Sequence, residues 1–154
     1  MRGDVPALAE LADNRKIHDV LSQLPFPYTR ADALGFVDII AQRQDTRAYA
    51  VTLHDRLIGV VSLMFAPDAP PELGYWLGEP LWGLGYMTEA AGGLVTAARE
   101  TGLFPIICAR ALSSNTRSKR VLEKLGFTKT GEGLLPSGSH AGEAGTFYRL
   151  EDTK

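Results

Sequence analysis

The chain contains a single cysteine, Cys108, so an intrachain disulfide is excluded as a stabilising element. No apolar run approaches the roughly 20 residues that a helix needs to cross a bilayer, and the N-terminus lacks the apolar stretch of a signal peptide. The net charge of −2 offers no attraction toward nucleic acid or an anionic membrane. These absences predict a cytoplasmic protein with a reduced thiol. Cys108 ends the apolar run that begins at Pro105, so a buried, inert thiol is expected in preference to a nucleophile.

Two nucleotide-binding patterns are also missing. The chain has no G-x-x-x-x-G-K-[ST], which excludes a P-loop. The spacing G-x-G-x-x-T from Gly83 to Thr88 lacks the third glycine of the dinucleotide fingerprint. No grouping of histidine, cysteine and carboxylate residues indicates a metal site, and we expect His18, His54 and His140 at the surface.

The remaining composition, with 45% apolar and 22% charged residues over 154 positions, predicts one folded domain spanning residues 1–154. Asp4 is expected to cap the first helix, and Thr29 with Asp32 to cap the third. Helical spacing predicts that the inner residues of the third helix are Leu34, Val37, Ile40 and Ala41. In the first half, periodicity predicts helices at 4–13, 17–24 and 29–41, followed by strands at 47–53, 57–65 and 73–77. In the second half it predicts a helix that ends at 101, a strand at 105–112, a helix that ends at 126, and strands at 127–129 and 146–150. This order predicts an α/β (α+β) fold with a mixed sheet and a parallel crossover in its second half.

A glycine turn is the first feature that points to chemistry. The strand ending at Leu77 leads into Gly83 and Gly85, and a helix follows directly. Backbone N–H groups at such a turn point one way, and the helix dipole adds positive potential, so phosphate oxygens bind at such places. A tight strand-to-helix connection without a ligand fits the same pattern equally well.

The late helix carries two polar residues at the head of an apolar stripe. Ser118 shares a helix face with Val121, Leu122 and Leu125, and Asn115 lies one turn earlier. Capping and hydrogen bonding within the helix would satisfy both residues. Contact with a ligand between this helix and the preceding one is the alternative interpretation.

Together three segments closely resemble the GNAT acetyltransferase superfamily: Glu72 to Leu77, Trp82 to Ala90, and Asn115 to Phe127. Within it the pattern looks like the branch of ribosomal-protein N-terminal-alanine acetyltransferases. The resemblance covers most of the chain. It implies a GNAT-like, mostly antiparallel central sheet flanked by helices, with acetyl-CoA as co-substrate and no metal.

The resemblance also implies where the cofactor binds. The family's phosphate motif, Q/R-x-x-G-x-G/A, falls on residues 82–87, with Gly85 as the matching glycine; Trp82 and Met87 depart from it. Met87 adds bulk beside the phosphates unless its side chain turns into the core, where its helical spacing places it. The implied cofactor-binding residues are Tyr75, Trp76, Leu77, Trp82, Gly83, Leu84, Gly85, Tyr86, Met87, Thr88, Asn115, Ser118 and Arg120.

The candidate catalytic residues are Ser118, which the resemblance implies, and Glu72, which lies at the start of the central strand. Many GNAT enzymes protonate the leaving thiolate with a tyrosine of the late helix, but that position here is Leu122. The branch that the chain resembles instead has a serine like Ser118, which implies Ser118 as the candidate donor to the departing sulfur. A backbone N–H near Leu77 is expected to polarise the thioester carbonyl. Glu72 is the candidate base for the acceptor amine, and an exposed carboxylate at the start of a strand is its other interpretation.

The acceptor side involves two connecting segments. Phe26 and Tyr28 are expected to bind substrate together with Glu72 and the loop from Gly131 to Gly145, although packing against the third helix suits both aromatic residues equally. Family members usually begin with a strand before the first helix, whereas this sequence begins almost at that helix, so the strand is expected to be missing. That absence predicts a truncated start or a homodimer that covers an exposed edge strand at 47–53.

Three functions fit these residues. The first is acetyl transfer to a primary amine, either a protein N-terminus or a small molecule, by direct attack in a ternary complex. The second is a non-catalytic acyl-CoA-binding regulatory domain, suggested by the missing helix tyrosine and by Met87. The third is a purely structural domain with a glycine turn. Cofactor binding separates the third from the others, and release of free thiol separates the first from the second.

Overall fold

The computed structural model describes residues 2–19, 27–136 and 140–151. Short 3₁₀ turns at Arg2–Asp4 and Glu79–Leu81 accompany five helices and six strands in these ranges. The elements are α1 (Val5–Ala12), α2 (Arg15–His18), α3 (Arg30–Gln42), β1 (Thr46–Leu53), β2 (Arg56–Met64), β3 (Glu72–Leu77), α4 (Tyr86–Glu100), β4 (Ile106–Leu112), α5 (Thr116–Lys124), β5 (Thr128–Leu134) and β6 (Ala144–Glu151).

The strands form one six-stranded sheet in the order β1-β2-β3-β4-β6-β5. Only the β3–β4 pair is parallel, and the other four neighbouring pairs are antiparallel. The predicted mixed, mostly antiparallel sheet is therefore confirmed. In the described part of the chain β1 lies at one sheet edge, and residues 2–19 contribute no strand. The predicted dimer through this edge stays a prediction.

The two faces of the sheet are covered by different helices. Strand side chains such as Leu73, Ile107 and Tyr148 pack with α4 and α5, and Met87 turns into this core with 5% of its surface exposed. On the opposite face, Val60 packs with residues of α1 and α3. The parallel β3–β4 connection through α4 places the turn before α4 at the end of β3.

Local signals agree with most helix and turn boundaries. Thr29 and Asp32 cap α3 reciprocally: the Asp32 carboxylate accepts from the Thr29 backbone N–H at 2.9 Å, and Thr29 Oγ1 accepts from the Asp32 N–H at 3.2 Å. The β1–β2 hairpin closes through His54 and Asp55, which both take positive φ values, 50° and 64°. This is a tight turn of the kind that usually uses glycine.

Two expectations about the N-terminal helices need correction, and a third falls partly outside the described residues. The Asp4 side chain makes no capping hydrogen bond, so α1 begins without a side-chain cap. Leu34 was expected inside and is 41% exposed, because Ala33 and Val37 form the inner face of α3. Helix α2 ends at His18, and its predicted continuation to Leu24 lies outside the described residues.

Candidate active site

Strands β3 and β4 part soon after they meet. Their parallel register comprises the pairs Glu72–Cys108 and Leu73–Ala109, whereas the pairing of β3 with β2 continues to Gly59–Leu77. The C-terminal half of β3 therefore belongs to the sheet on one side only. A gap opens between β3 and β4 in the middle of the sheet, next to the glycine turn.

The alternation of a strand shows which backbone groups face this gap. Just before β3, the Pro71 carbonyl accepts from the Cys108 N–H of β4 at 2.9 Å. Just after β3, the Gly78 N–H donates to the Ile58 carbonyl of β2 at 2.8 Å. Successive residues direct their N–H and C=O groups to opposite sides of a strand, so those of Tyr75 and Leu77 point toward β4 and into the gap. The Leu77 carbonyl accepts the Trp82 indole N–H at 2.7 Å.

A cavity of about 810 Å³ occupies the gap and reaches both faces of the sheet. One wall comes from the glycine turn, α4 and α5, and the other from α2, α3, β1 and β2. Among the residues predicted from sequence, those that line it are Glu72, Tyr75, Trp76, Leu77, Trp82, Gly83, Gly85, Tyr86, Met87, Thr88, Asn115, Ser118 and Arg120. Distant segments of the sequence thus line one cavity, and the role of each residue in cofactor binding stays a prediction.

The glycine turn holds an unusual backbone at the start of α4. Gly83 and Gly85 have φ values of 78° and 84°, and Gly85 occupies the N-cap position in the left-handed region. An added Cβ at either glycine would meet no atom within 4 Å, so the backbone conformation, rather than crowding, favours glycine here. Gly85 provides no side-chain cap, so the first N–H groups of the 15-residue α4 have no capping oxygen from it.

Ser118 is held by both of its neighbours in the site. The Asn115 side chain accepts from the Ser118 N–H at 3.2 Å and caps α5. The Tyr75 hydroxyl lies 2.8 Å from Ser118 Oγ and 3.0 Å from the Ser118 carbonyl oxygen. Burial raises the pKa of Tyr75 to about 12, so this hydroxyl remains protonated at neutral pH. The sequence did not indicate this contact, which joins residues 43 positions apart.

Glu72 forms an ion pair with Arg110 of β4. The Arg110 Nε lies 2.8 Å from Glu72 Oε1, and both side chains are about three-quarters buried, with 29% and 26% of their surfaces exposed. Arg110 lines the same cavity. The candidate base therefore has a fixed position at the parallel junction of the two strands. Sequence analysis missed Arg110, because only the register of β3 against β4 places it there.

A cation lies beside the glycine turn. The Arg117 guanidinium carbon is 4.5 Å from the centroid of the Trp82 ring, a cation–π arrangement. Arg117 and Arg120 both belong to α5, are exposed and line the cavity. The sequence analysis named Arg120 and overlooked Arg117, although its place one residue before Ser118 was a usable signal.

Comparison with known proteins identifies the family. The Acetyltransferase (GNAT) domain family matches residues 1–128. The chain belongs to the GNAT acetyltransferase family. This match confirms the family predicted from the three segments, and it agrees with the sheet topology described above.

Individual GNAT proteins share only limited sequence identity with this chain. A Bacillus subtilis (strain 168) protein named "Putative ribosomal N-acetyltransferase YdaF" is 32% identical over 89 residues, which are 54% of this chain. The match spans about half the length of that relative, 49%.

Solved structures share the whole fold at lower identity. RimL, a ribosomal L7/L12 α-N-protein acetyltransferase solved with coenzyme A, has 20% identity and a TM-score of 0.86 over 98% of this chain and 90% of its own. Microcin C7 self-immunity acetyltransferase MccE, solved with acetyl-CoA and AMP, has 20% identity and a TM-score of 0.85 over 99% and 89%. Mycobacterium smegmatis RimJ, solved with CoA-disulfide, has 16% identity and a TM-score of 0.84 over 98% and 78%.

Within this GNAT frame, some predicted residues lie away from the cavity. Leu84 is 62% exposed and does not line it, because the turn points its side chain to solvent. Tyr28 is 4% exposed and packs with α1 and α3, so the packing alternative applies to it. Phe26 lies outside the described residues. Leu122, at the position of the family's helix tyrosine, is a core residue with 1% exposed.

His140 departs from the surface position expected for it. Its side chain is 14% exposed and lines the cavity. Nδ1 contacts the Glu143 carboxylate, and Nε2 lies 3.2 Å from the His18 carbonyl oxygen. The residue thereby joins the segment before β6 to the end of α2.

Cys108 is half-buried, and its thiol points toward the Pro71 carbonyl at 3.5 Å. Burial, with a smaller contribution from Glu72, raises the pKa of this thiol, which makes it a poor nucleophile at neutral pH. In residues 2–19, 27–136 and 140–151, no helix has the length and apolarity to cross a bilayer, and no three His, Cys, Asp or Glu residues are grouped to hold a metal.

Proposed function

We propose that this chain transfers the acetyl group of acetyl-CoA to a primary amine by direct attack in a ternary complex. The observation that carries the proposal is the gap between β3 and β4, with the glycine turn at one end and Ser118 on its wall. A pyrophosphate suits the uncapped start of α4, since the N–H groups and the helix dipole both favour an anion there.

The gap suits the extended arm of the cofactor. Backbone groups of Tyr75 and Leu77 point into it and offer a free strand edge, to which an amide-containing chain can add. A cavity that reaches both sheet faces lets acetyl-CoA enter beside α4 and α5 and the amine from the α2 and α3 side. The thioester then lies where the two halves of the cavity join.

Each chemical step has a candidate group. Glu72, held by Arg110, accepts a proton from the attacking amine through water. The Leu77 N–H donates to the carbonyl oxygen as it becomes an oxyanion. When the C–S bond breaks, Ser118 donates a hydrogen bond to the thiolate. The products are the N-acetylated amine and free CoA. Glu72 passes the amine proton to solvent, and the thiolate takes up a proton from water.

The acceptor we favour is an α-amino group. With a pKa of about 8 it is partly neutral at pH 7, whereas a lysine amine is almost wholly protonated. RimL is named as an α-N-protein acetyltransferase of ribosomal L7/L12, and the Bacillus subtilis relative as a ribosomal N-acetyltransferase, which supports testing protein N-termini first. Polyamines and other small amines complete the panel.

Thermal unfolding with and without acetyl-CoA is the first test. Ligand at about a hundred times its Kd adds ~2.7 kcal/mol to the free energy of unfolding, a rise in Tm of several degrees. Release of free thiol with each amine of the panel then tests catalysis. A Tm shift without thiol release for any amine would favour the non-catalytic acyl-CoA-binding domain, and the absence of a shift at millimolar ligand would contradict cofactor binding.

Substitution of the proposed base separates its role from packing. Glu72→Gln retains the shape of the side chain and loses the charge, so kcat should fall by about 10²-fold while acetyl-CoA affinity is kept. Because Arg110 loses its partner in this variant, Tm must be measured alongside. A rate close to wild type at all pH values would remove Glu72 from the mechanism.

A further inference from the structure

The contact between Tyr75 of β3 and Ser118 of α5 brings together three oxygen atoms that can accept a hydrogen bond and only two hydroxyl hydrogens. The Tyr75 hydroxyl is within hydrogen-bond distance of two oxygens of one residue, Ser118 Oγ at 2.8 Å and the Ser118 carbonyl at 3.0 Å. Each hydroxyl has one hydrogen to donate, and the carbonyl has none. Both side chains line the cavity in which the thioester is proposed to lie.

Two arrangements of these hydrogens satisfy the contact. In the first, Tyr75 donates to the Ser118 carbonyl and Ser118 donates back to the Tyr75 oxygen, so the serine hydrogen is occupied. In the second, Tyr75 donates to Ser118 Oγ, and the serine hydrogen is free to point into the cavity. An anion that forms in the cavity favours the second arrangement, because it needs a donor and charge-assisted hydrogen bonds are the stronger ones.

We propose that Tyr75 is a positioning residue that, by donating to Ser118 Oγ, directs the serine hydroxyl at the sulfur leaving from acetyl-CoA. This inference rests on the proposed function and assigns Tyr75 a role beyond lining the cofactor arm. Asn115 holds the backbone of Ser118 from the other side through the 3.2 Å contact to its N–H. The serine is thus fixed at its backbone by the cap and at its side chain by the tyrosine.

The pair donates hydrogen bonds and transfers no proton. As the C–S bond breaks, the electron pair goes to sulfur, Ser118 donates to that sulfur, and Tyr75 donates to Ser118. A tyrosinate is disfavoured because burial raises the pKa of Tyr75 to about 12. The chain of two hydroxyls strengthens the last hydrogen bond, since each bond polarises the next.

The pKa of the thiol of bound CoA tests this inference without any acceptor amine. CoA alone is titrated on the wild-type protein, and thiolate is followed by its ultraviolet absorbance against the apoprotein, which corrects for Cys108. A donor to the thiolate lowers this pKa. We expect it to rise by about 0.5 to 1 pH unit in Tyr75→Phe and by more in Ser118→Ala, in keeping with one hydrogen bond to a charged group.

A double-mutant cycle shows whether Tyr75 acts through Ser118. The thiol pKa in the variant carrying both substitutions should equal that in Ser118→Ala alone, because the tyrosine then has no hydroxyl to direct. Tyr148→Phe is the matched control: this buried tyrosine of the same core, 3% exposed, should leave the thiol pKa unchanged. For any amine that is acetylated, kcat should follow the same pattern, with acetyl-CoA affinity within about twofold of wild type.

Three results would overturn the inference: additive effects of the two substitutions, an unchanged thiol pKa in Tyr75→Phe, or an equal change in Tyr148→Phe. CoA binding with the expected pKa pattern, but no thiol release with any amine, would contradict the proposed acetyl transfer and leave the Tyr75–Ser118 pair intact. A wild-type protein that binds no CoA would overturn both.

Discussion

Helices α4 and α5 each follow a strand of the central sheet, and they begin in opposite ways. Helix α4 starts at Gly85, with φ of 84° and no side-chain cap. Helix α5 starts at Asn115, whose side-chain oxygen accepts from the Ser118 N–H. One helix start leaves its amides without a capping side chain, and the other satisfies an amide internally.

This difference separates two tasks in the proposed mechanism. The uncapped start of α4 suits a bound anion, because its amides and dipole act together on a ligand. The capped start of α5 holds a side chain, Ser118, at a fixed place on the wall of the same cavity. A substitution at the start of α4 should therefore affect cofactor binding, and one at the start of α5 should affect the chemical step. The following experiments use that expectation.

Among the variants of the two helix starts, the largest effect is expected from Gly85→Ala. A residue with a Cβ costs about 1–2 kcal/mol in the left-handed region, so the turn should relax and the acetyl-CoA Kd should rise about tenfold. Calorimetric titration measures it. Gly93→Ala is the matched control: Gly93 lies inside α4, and its added Cβ meets nothing within 4 Å. It should stabilise the fold by about 0.5–1 kcal/mol and keep the Kd; equal affinities in both variants would contradict an anion site at this turn.

The next effect is expected from Asn115→Ala. Loss of the cap should lower the free energy of unfolding by about 1 kcal/mol, and kcat should fall several-fold because Ser118 loses its backbone anchor. Thr29→Ala removes a comparable cap from α3, and Thr29 does not line the cavity. Denaturant titration and initial rates of both variants provide the comparison. Similar losses of kcat in both would mean that stability alone, and not the site, is affected.

A smaller effect is expected from Arg117→Gln. The guanidinium beside Trp82 lies next to the glycine turn, so its removal should weaken acetyl-CoA binding by about threefold, and added salt should shrink the difference. Arg56→Gln makes the same change of charge at the start of β2, away from the cavity. If both variants bind alike at low salt, Arg117 has no part in cofactor binding.

The last prediction concerns the stability of the fold at high pH, and its effect at neutral pH is the smallest of all. It depends on two buried tyrosines, Tyr28 and Tyr75. Burial raises the pKa of Tyr28 and of Tyr75 to about 12 from the ordinary 10.0. The native state thus keeps protons that the unfolded chain releases, so the free energy of unfolding is unaffected below about pH 10 and falls as pH rises from 10 to 12. Denaturant titration at pH 8, 10 and 11 checks this, with Tyr75→Phe flattening the fall. Constant stability up to pH 11 would contradict it.

Much of the fold was predictable because the signals are local. Apolar spacing predicted α4 and its inner residue Met87, and the Thr29–Asp32 pair predicted the start of α3. Errors arose where propensity and pattern were weak: Asp4 has the residue type of a cap without making the hydrogen bond, and Leu34 lies on the exposed side of α3. For α3, packing of Ala33 and Val37 against α1 and the sheet, which the local sequence does not encode, decided which face is buried.

The candidate site was predictable in its parts and not in its connections. The three segments of family resemblance indicated which stretches line the cavity, including the glycine turn and Ser118. The contacts Tyr75–Ser118 and Glu72–Arg110 could not be predicted, since each joins elements far apart in sequence. Neither residue type nor spacing tells which pairs will meet when a helix crosses a sheet or two strands align in parallel.

By itself the sequence determined the order of elements, the glycines that permit positive φ before α4, and the polar residues at the start of α5, because these depend on neighbouring residues. Only the tertiary structure decided that β3 parts from β4 after Leu73, and that the backbone of β3 therefore faces a cavity. Strand pairing is set by packing of the whole sheet against helices on both faces, and no short stretch of sequence specifies where two strands separate.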